Sequence, residues 1–208
     1  MKTCLIFGAG ETDGTEPLPA APDLVIAADG GLDAALSRGL TPDLCIGDFD
    51  SAAAAPPPGS EVIRLPREKD ETDSAAAAEE ALRRGCGRLL FYGMLGGRPD
   101  HSFANLSLLA ALSARTEDVR MYGLGYEITA VTNGAYRAPA REKGTVSVFS
   151  FSDESEGVTI RGLYYPLENA RLTNGTALGI SNECTGSPFG ISVRKGTLLI
   201  MTDFLRSV

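Results

Sequence analysis

The 208-residue sequence predicts an α/β fold: an N-terminal, mostly parallel sheet with flanking helices, followed by an all-β sandwich. Three observations predict it. Short uninterrupted apolar runs, each bounded by Gly, Pro or Asp, recur up to about residue 125. Helix-like segments alternate with them. Beyond that point the helical segments stop, and β-branched runs punctuated by Gly, Asn and Ser take over.

The predicted strands of the first part are "TCLIF" (3–7), "LVIAA" (24–28), "DLCIG" (43–47), "EVIRL" (61–65), "RLLFYG" (88–93) and "VRMYG" (119–123). Runs this apolar fit strands buried on both faces, as in a parallel sheet. The helical candidates are "GLDAALSRG" (31–39), "TDSAAAAEEALRRG" (72–85) and "DHSFANLSLLAALSA" (100–114). The second has Thr72 or Asp73 to cap it, arginines in its last turn and Gly85 to stop it. The third places Asp100 as its N-cap. Alternation of this kind predicts a Rossmann-like layer fold with right-handed crossovers. "SAAAAPPPGS" (51–60) reads as a surface connection, because three consecutive prolines forbid a longer helix. In the second part, "ITAVT", "TVSVFSF", "VTIRG", "ALGIS" and "ISVRKGTLLIMTDF" read as strands, the last as a hairpin around Lys195-Gly196.

Composition bounds the function. A formal charge of −8 disfavours duplex nucleic acid, which calls for a basic face. Any phosphate-bearing ligand must then meet local cations, backbone N–H groups or a divalent metal. Cys4, Cys45, Cys86 and Cys184 show no CxxC pairing and read as reduced thiols of a cytoplasmic protein. No stretch is long enough to span a bilayer, and the N-terminal apolar run is too short for a signal peptide.

The chemistry concentrates in aspartates. "PDLCIGDFDS" (42–51) carries Asp48 and Asp50 one residue apart, and in strand geometry both project the same way. Such a pair repels unless an arginine, a metal ion or water separates the charges. Asp29 follows the second predicted strand, Asp48 and Asp50 the third, Asp70 and Asp73 the fourth, and Asp100 the fifth. In an open parallel sheet those strand ends share one edge, where ligands bind. Helix capping accounts for any one aspartate but poorly for two adjacent ones or for the convergence. Clustered carboxylates invite Mg²⁺, a hard cation that completes its shell with water and phosphate oxygens.

Glycines and cations on the same edge point the same way. "ADGG" (28–31) and "LGGR" (95–98) carry Gly30, Gly31, Gly96 and Gly97, which either make tight turns or let backbone approach a ligand. Arg67, Lys69 and Arg98 are candidate phosphate contacts. Other solutions are absent: "GAGETDG" lacks the third glycine of a dinucleotide fingerprint, and no P-loop or GxSxG elbow occurs. His101, the single histidine, reads as a helix-start hydrogen-bonding residue rather than a general base.

These motifs resemble the thiamine pyrophosphokinase (thiamine diphosphokinase) family. The likeness is carried by "ADGGLDAALSRGLTPDLCIGDFDS", "KDETD", "LGGRPDHSFANLSLL", "GLYYPLEN" and "GISNE", in the family's order from residue 28 to about 183. The resemblance implies transfer of the pyrophosphoryl group of ATP to the hydroxyl of thiamine, leaving AMP. It implies an α/β domain over 1–125 that binds ATP and Mg²⁺. It also implies a β-sandwich over 126–208 that binds thiamine and forms a homodimer, with no nucleic-acid or membrane partner. Carried over by position, Asp48, Asp50 and Asp73 hold the metal, and Asp73, Asp100 and Arg98 are catalytic. Asp29, Gly30, Gly31, Ser51, Lys69, Asp70, Arg98, His101 and Asn105 contact ATP. Tyr165, Ser181 and Asn182 contact thiamine.

One departure stands out: the chain has no Trp, and Tyr165 occupies the position where some members place one. Tyr165 still offers a ring face to a cationic thiazolium. Two other expectations remain open on this scaffold, a Mg²⁺-dependent nucleotide phosphohydrolase and an inactive nucleotide sensor. Either Asp73 or Asp100 is a candidate acceptor for the hydroxyl proton.

Overall fold

Burial of the apolar runs organises the first part of the chain. The computed structural model describes residues 1–49, 55–66, 68 and 70–203. These divide into two units, residues 1–108 with 116–124, and residues 109–115 with the chain from 125 onward. In the first unit the strands are β1 (Lys2–Phe7), β2 (Leu24–Ala28), β3 (Leu44–Gly47), β4 (Glu61–Arg64), β5 (Cys86–Tyr92) and β6 (Asp118–Gly123). They lie in the order β6-β5-β1-β2-β3-β4, every neighbouring pair parallel. Cys4, Leu5, Ile6 and Phe7 of β1 are completely buried, as expected of a central strand covered on both faces. Phe7, Tyr92 and Tyr122 stack across β1, β5 and β6 at centroid distances of 5.0 and 5.3 Å.

The helices are α1 (Gly31–Ser37), α2 (Asp73–Arg83) and α3 (Pro99–Leu112). Thr72, not Asp73, caps α2: its Oγ1 accepts the Ala75 N–H at 3.2 Å. Gly85 follows the helix at φ 81°, the left-handed conformation that ends a helix cheaply. Ala76, Ala77, Ala78 and Ala81 are buried, and these small side chains let α2 lie close to the sheet.

Two expectations for this unit are corrected. β4 is not buried on both faces: Glu61, Val62 and Arg64 are exposed because the strand forms an edge of the sheet. Asp100 is not the cap of α3, which begins one residue earlier at Pro99, a residue suited to a first helical turn.

The second unit contains β7 (Tyr126–Thr132), β8 (Ala135–Ala138), β9 (Thr145–Ser150), β10 (Glu154–Arg161), β11 (Leu167–Thr173), β12 (Asn182–Glu183), β13 (Phe189–Ser192) and β14 (Thr197–Asp203). They form two antiparallel sheets, β12-β9-β14-β7 and β11-β10-β13-β8. Alternate residues, such as Val146 and Val148 from one sheet and Val158, Ile160 and Ile191 from the other, meet in one core, so the unit is a sandwich.

The hairpin expected around Lys195-Gly196 does not form. β13 pairs with β10 and β8, whereas β14 pairs with β7 and β9, so the chain changes sheets at that turn. Nor is "ALGIS" a strand; it is a turn, and pairing begins only at Asn182. β8 and β11 had no apolar signature, and β11 is held partly by an Arg171–Glu154 ion pair to β10.

Candidate active site

The chain leaves β1 toward β2, β3 and β4 on one side, then crosses to β5 and β6 on the other. The carboxyl ends of β1 and β5 therefore mark a topological switch point, the usual ligand crevice of a parallel sheet. Two glycine-rich turns interlock there. Gly8 N–H donates to Tyr92 O at 2.8 Å, Gly10 N–H to Gly93 O at 2.6 Å, and Glu11 N–H to Leu95 O at 2.8 Å. A Cβ on Gly10 would lie 2.6 Å from Leu95 O, so backbone contact alone requires glycine. Gly31 is likewise required by packing, since a Cβ there would lie 1.9 Å from Phe7 O. Of the "LGGR" pair, Gly96 gives way to the Glu11 side chain, while a Cβ on Gly97 would meet nothing within 4 Å.

Asp29 and Asp48 directly follow the neighbouring parallel strands β2 and β3. Asp29, at φ 47°, donates its N–H to Ile46 O at 2.8 Å, and a Cβ on Gly47 would lie 3.1 Å from the Asp29 Cα. The Asp29 Oδ1 atom is buried and finds no hydrogen-bond partner among the described residues. Such an oxygen has lost its hydration without protein compensation, at a cost of about 1–3 kcal/mol, unless a ligand or ion meets it. Asp48, one residue after Gly47, is half-buried. Asp50, Ser51, Arg67 and Lys69 lie outside the described residues. Among the described residues no three His, Cys, Asp or Glu side chains gather closely enough to hold a metal ion on their own. The oxygen-only chemistry of Asp29 and Asp48 suits a hard cation that also takes water and phosphate ligands.

The start of α2 reaches the turn after β5, because Ser74 Oγ contacts Met94 Sδ at 3.3 Å. Asp73, half-buried, stands next to that contact, whereas Asp70 is exposed. Asn105 is buried and donates its side-chain Nδ2 to Met94 O at 2.8 Å. Its amide thus braces the glycine-rich turn. Gly30 occupies the cap position of α1 without a side-chain bond. His101 is exposed in the first turn of α3.

Arg98 and Asp100 form a two-point ion pair, Nη2 to Oδ2 at 2.6 Å and Nε to Oδ1 at 3.2 Å, and both are exposed. The guanidinium, aided by the His101 backbone N–H, pulls the Asp100 carboxyl down to about 2. A folded pKa below the ordinary value means that any stabilisation is present above the ordinary carboxylate range and is lost as pH falls through about 2. Asp100 therefore stays ionised at neutral pH and is a poor proton acceptor while paired. In Arg98→Ala, the Asp100 midpoint followed by carboxyl NMR should rise toward about 4, the ordinary value. An unchanged midpoint would show that Arg98 is not the cause.

In the second unit, Asn182 is 3% exposed and joined to Tyr165 at two points. Tyr165 N–H donates to Asn182 Oδ1 at 2.9 Å, and Asn182 Nδ2 donates to Tyr165 O at 2.7 Å. The same Oδ1 also accepts the Glu183 N–H at 2.9 Å. Asn182 thus fixes the backbone that carries Tyr165, and most of its hydrogen-bonding capacity is spent there. Tyr165 is 58% exposed and meets the Tyr164 ring edge-on at 4.8 Å. Ser181, at φ 56°, is exposed, with its N–H donated to Ser147 Oγ. Leu178 and Ile180, just before it, are exposed as well. An open concavity of about 500 Å³ on the β8–β13–β10 sheet contains none of these residues.

Two features, one in each unit, lie beyond the sequence reading. Glu11 follows β1 at the ligand edge, the same signal that the aspartates carry, within a "GAGET" turn that lacks the third glycine of a dinucleotide fingerprint. Asn182 carries no local sign of its bond to a residue 17 positions away.

Comparison with known proteins agrees with the geometry. Residues 16–122 match the family described as "Thiamin pyrophosphokinase, catalytic domain", and residues 136–198 match "Thiamin pyrophosphokinase, vitamin B1 binding domain". The chain is similar to the thiamine pyrophosphokinase of Bacillus subtilis, 31% identical over 212 residues, covering 97% of this chain and 98% of the relative. A crystal structure of the Bacillus subtilis enzyme superposes with a TM-score of 0.85 at 29% identity, covering 98% of this chain and all of that one. The thiamin pyrophosphokinase of Geobacillus thermodenitrificans gives 0.82 at 26% identity, with both chains fully covered. The yeast enzyme, at 14% identity and a TM-score of 0.77, shares the fold. Among the described residues no helix is long and apolar enough to cross a membrane. With both units matched in order and nearly the whole length covered, this chain belongs to the thiamin pyrophosphokinase family.

Proposed function

We propose that the enzyme moves the pyrophosphoryl group of ATP to the hydroxyl of thiamine, giving thiamine diphosphate and AMP. The observation that carries this is the carboxyl edge of the parallel sheet, where Asp29 and Asp48 directly follow the neighbouring strands β2 and β3 in a chain whose two units match the catalytic and vitamin B1 binding families. The thiamine oxygen attacks the β-phosphorus, the bond from that phosphorus to the oxygen bridging the α-phosphate breaks, and AMP departs with the bonding pair. Little covalent work falls to the protein, so alignment and charge neutralisation carry the catalysis.

Asp48, Asp50 and Asp73 would hold Mg²⁺, whose chemistry is to neutralise phosphate charge. Asp29, Gly30, Gly31, Ser51, Lys69, Asp70, His101 and Asn105 are the proposed ATP residues. Within that set, Asn105 braces the Met94 turn. Arg98, which pairs with Asp100, would turn its guanidinium to the phosphate oxygens of ATP. The hydroxyl proton goes to Asp73, to Asp100 once its ion pair with Arg98 opens, or to solvent. Tyr165 stacks on the thiazolium, Ser181 bonds the pyrimidine, and Asn182 sets the position of Tyr165. The exposed Tyr164, Tyr165, Leu178 and Ile180 side chains support a homodimer that covers them. Four free thiols fit a cytoplasmic setting.

Two results separate this proposal from its rivals. AMP should appear from ATP only when thiamine is present; a phosphohydrolase makes product without thiamine, and a sensor makes none. Asn182→Ala should raise the thiamine KM by about tenfold through the lost pair of backbone clasps and leave ATP binding unchanged. An equal effect on both substrates would contradict the assignment of Asn182.

A further inference from the structure

The "GAGET" turn after β1 has no part in the chemistry above, yet its glutamate reaches the glycine-rich turn that leads into Arg98. Glu11 Oε1 accepts the Gly97 N–H at 2.9 Å, and Glu11 N–H donates to Leu95 O at 2.8 Å. One residue thus ties both ends of Leu95–Gly97. Its side chain also fills the place that a side chain on Gly96 would take: a Cβ there would lie 2.5, 2.7 and 2.9 Å from Glu11 Cδ, Cγ and Cβ. The turn needs such a tie. Gly93, Gly96 and Gly97 sit at φ 63°, 85° and 65°, and glycines so placed retain wide backbone freedom once released. Arg98 is the next residue, and its guanidinium is exposed.

We propose that Glu11 is a positioning residue for the nucleotide: by clasping the Gly96-Gly97 turn it presents Arg98 to the phosphates of ATP. The proposal rests on the role given to Arg98 under the proposed function. A carboxylate near a phosphate site would ordinarily repel the ligand. Here its charge faces a backbone N–H donor, and the turn made rigid through it holds a cation. The competing account is that Glu11 occupies the place of a phosphate oxygen on the Gly97 N–H and must be displaced by ATP. The two accounts differ in sign.

The test uses full-length Glu11→Ala, Glu11→Gln, Arg98→Ala and the Glu11→Ala/Arg98→Ala double variant. Hydrogen exchange at the Gly97 amide should quicken about tenfold in Glu11→Ala and stay near the parent rate in Glu11→Gln, which keeps an acceptor oxygen. The ATP KM should rise about five- to tenfold in Glu11→Ala, with the thiamine KM within about twofold of the parent. On the Arg98→Ala background the same change should add less than about twofold, since its effect runs through Arg98. A lower ATP KM in Glu11→Ala, equal damage from Glu11→Gln, or effects that multiply with Arg98→Ala would each overturn the proposal. Unchanged exchange would overturn the clasp itself. Faster exchange in a protein that makes no AMP with thiamine would instead overturn the proposed function, and with it the nucleotide role of the clasp.

Discussion

Asp48→Asn and Asp50→Asn should each lower turnover about 10²-fold or more, the scale of losing roughly 3 kcal/mol of electrostatic stabilisation in the transition state. The substitution keeps the shape of the side chain and removes one ligand charge. Asp48 directly follows β3, next to the strand that ends just before Asp29, whose buried Oδ1 has no hydrogen-bond partner among the described residues. Melting should stay within a few degrees of the parent, because replacing one of two neighbouring carboxylates relieves repulsion. Raising Mg²⁺ should recover part of the lost rate if the defect is metal affinity. Near-parental turnover in both variants at saturating Mg²⁺ would remove the metal role from this pair.

A comparably large loss, of stability rather than rate, is expected at Glu16. Its carboxylate is 1% exposed and pairs with Arg38, itself 12% exposed, with Nη1 to Oε2 at 2.7 Å. Arg38 Nη2 also donates to the Glu16 carbonyl at 2.6 Å, and Tyr92 donates its hydroxyl to Pro17 O at 2.8 Å. The pair therefore pins the long β1–β2 connection against the residue that ends α1. Glu16→Ala leaves the buried guanidinium only the Glu16 carbonyl and no opposite charge, and should cost about 3 kcal/mol. Removing both charges with Glu16→Leu/Arg38→Met should recover most of that loss, since apolar replacement of a buried pair is often neutral. Thermal melts of the single and double variants measure this. A single variant that melts with the parent, or a double variant worse than the single, would show that the pair is not the anchor described.

How much of this was legible in the sequence varies with the range of the interaction. The parallel strands were legible because "CLIF" and "LVIAA" have no polar face, and only a doubly covered strand tolerates that. The ligand edge followed, because an aspartate directly after such a strand can fall only at its carboxyl end. β4 misled because "EVIRL" resembles its neighbours in composition, and only its place in the strand order exposes it. The Lys195-Gly196 turn is real, with Gly196 at φ 114°, but Gly196 N–H bonds Asn133 Oδ1 and Lys195 N–H bonds Glu156 O. Those partners, one in the β7–β8 turn and one on β10, hold the turn while β13 and β14 run into different sheets, and no local signal reports them. Asn182 is the same lesson at the site itself. Its residue type suggested a ligand contact, but the fold engages its amide on the Tyr165 backbone.

The most direct measurement follows the phosphorus atoms. ATP labelled at the β-phosphorus is incubated with the full-length enzyme, Mg²⁺ and thiamine, and the products are separated. The account predicts that all of the label enters thiamine diphosphate, in the phosphate attached to the thiamine oxygen, with unlabelled AMP formed in equal amount. Label retained in ADP, with phosphate from the γ-position on thiamine, would mean attack at the wrong phosphorus. Label in free pyrophosphate or phosphate would mean that water is the acceptor. Either result would contradict pyrophosphoryl transfer to thiamine.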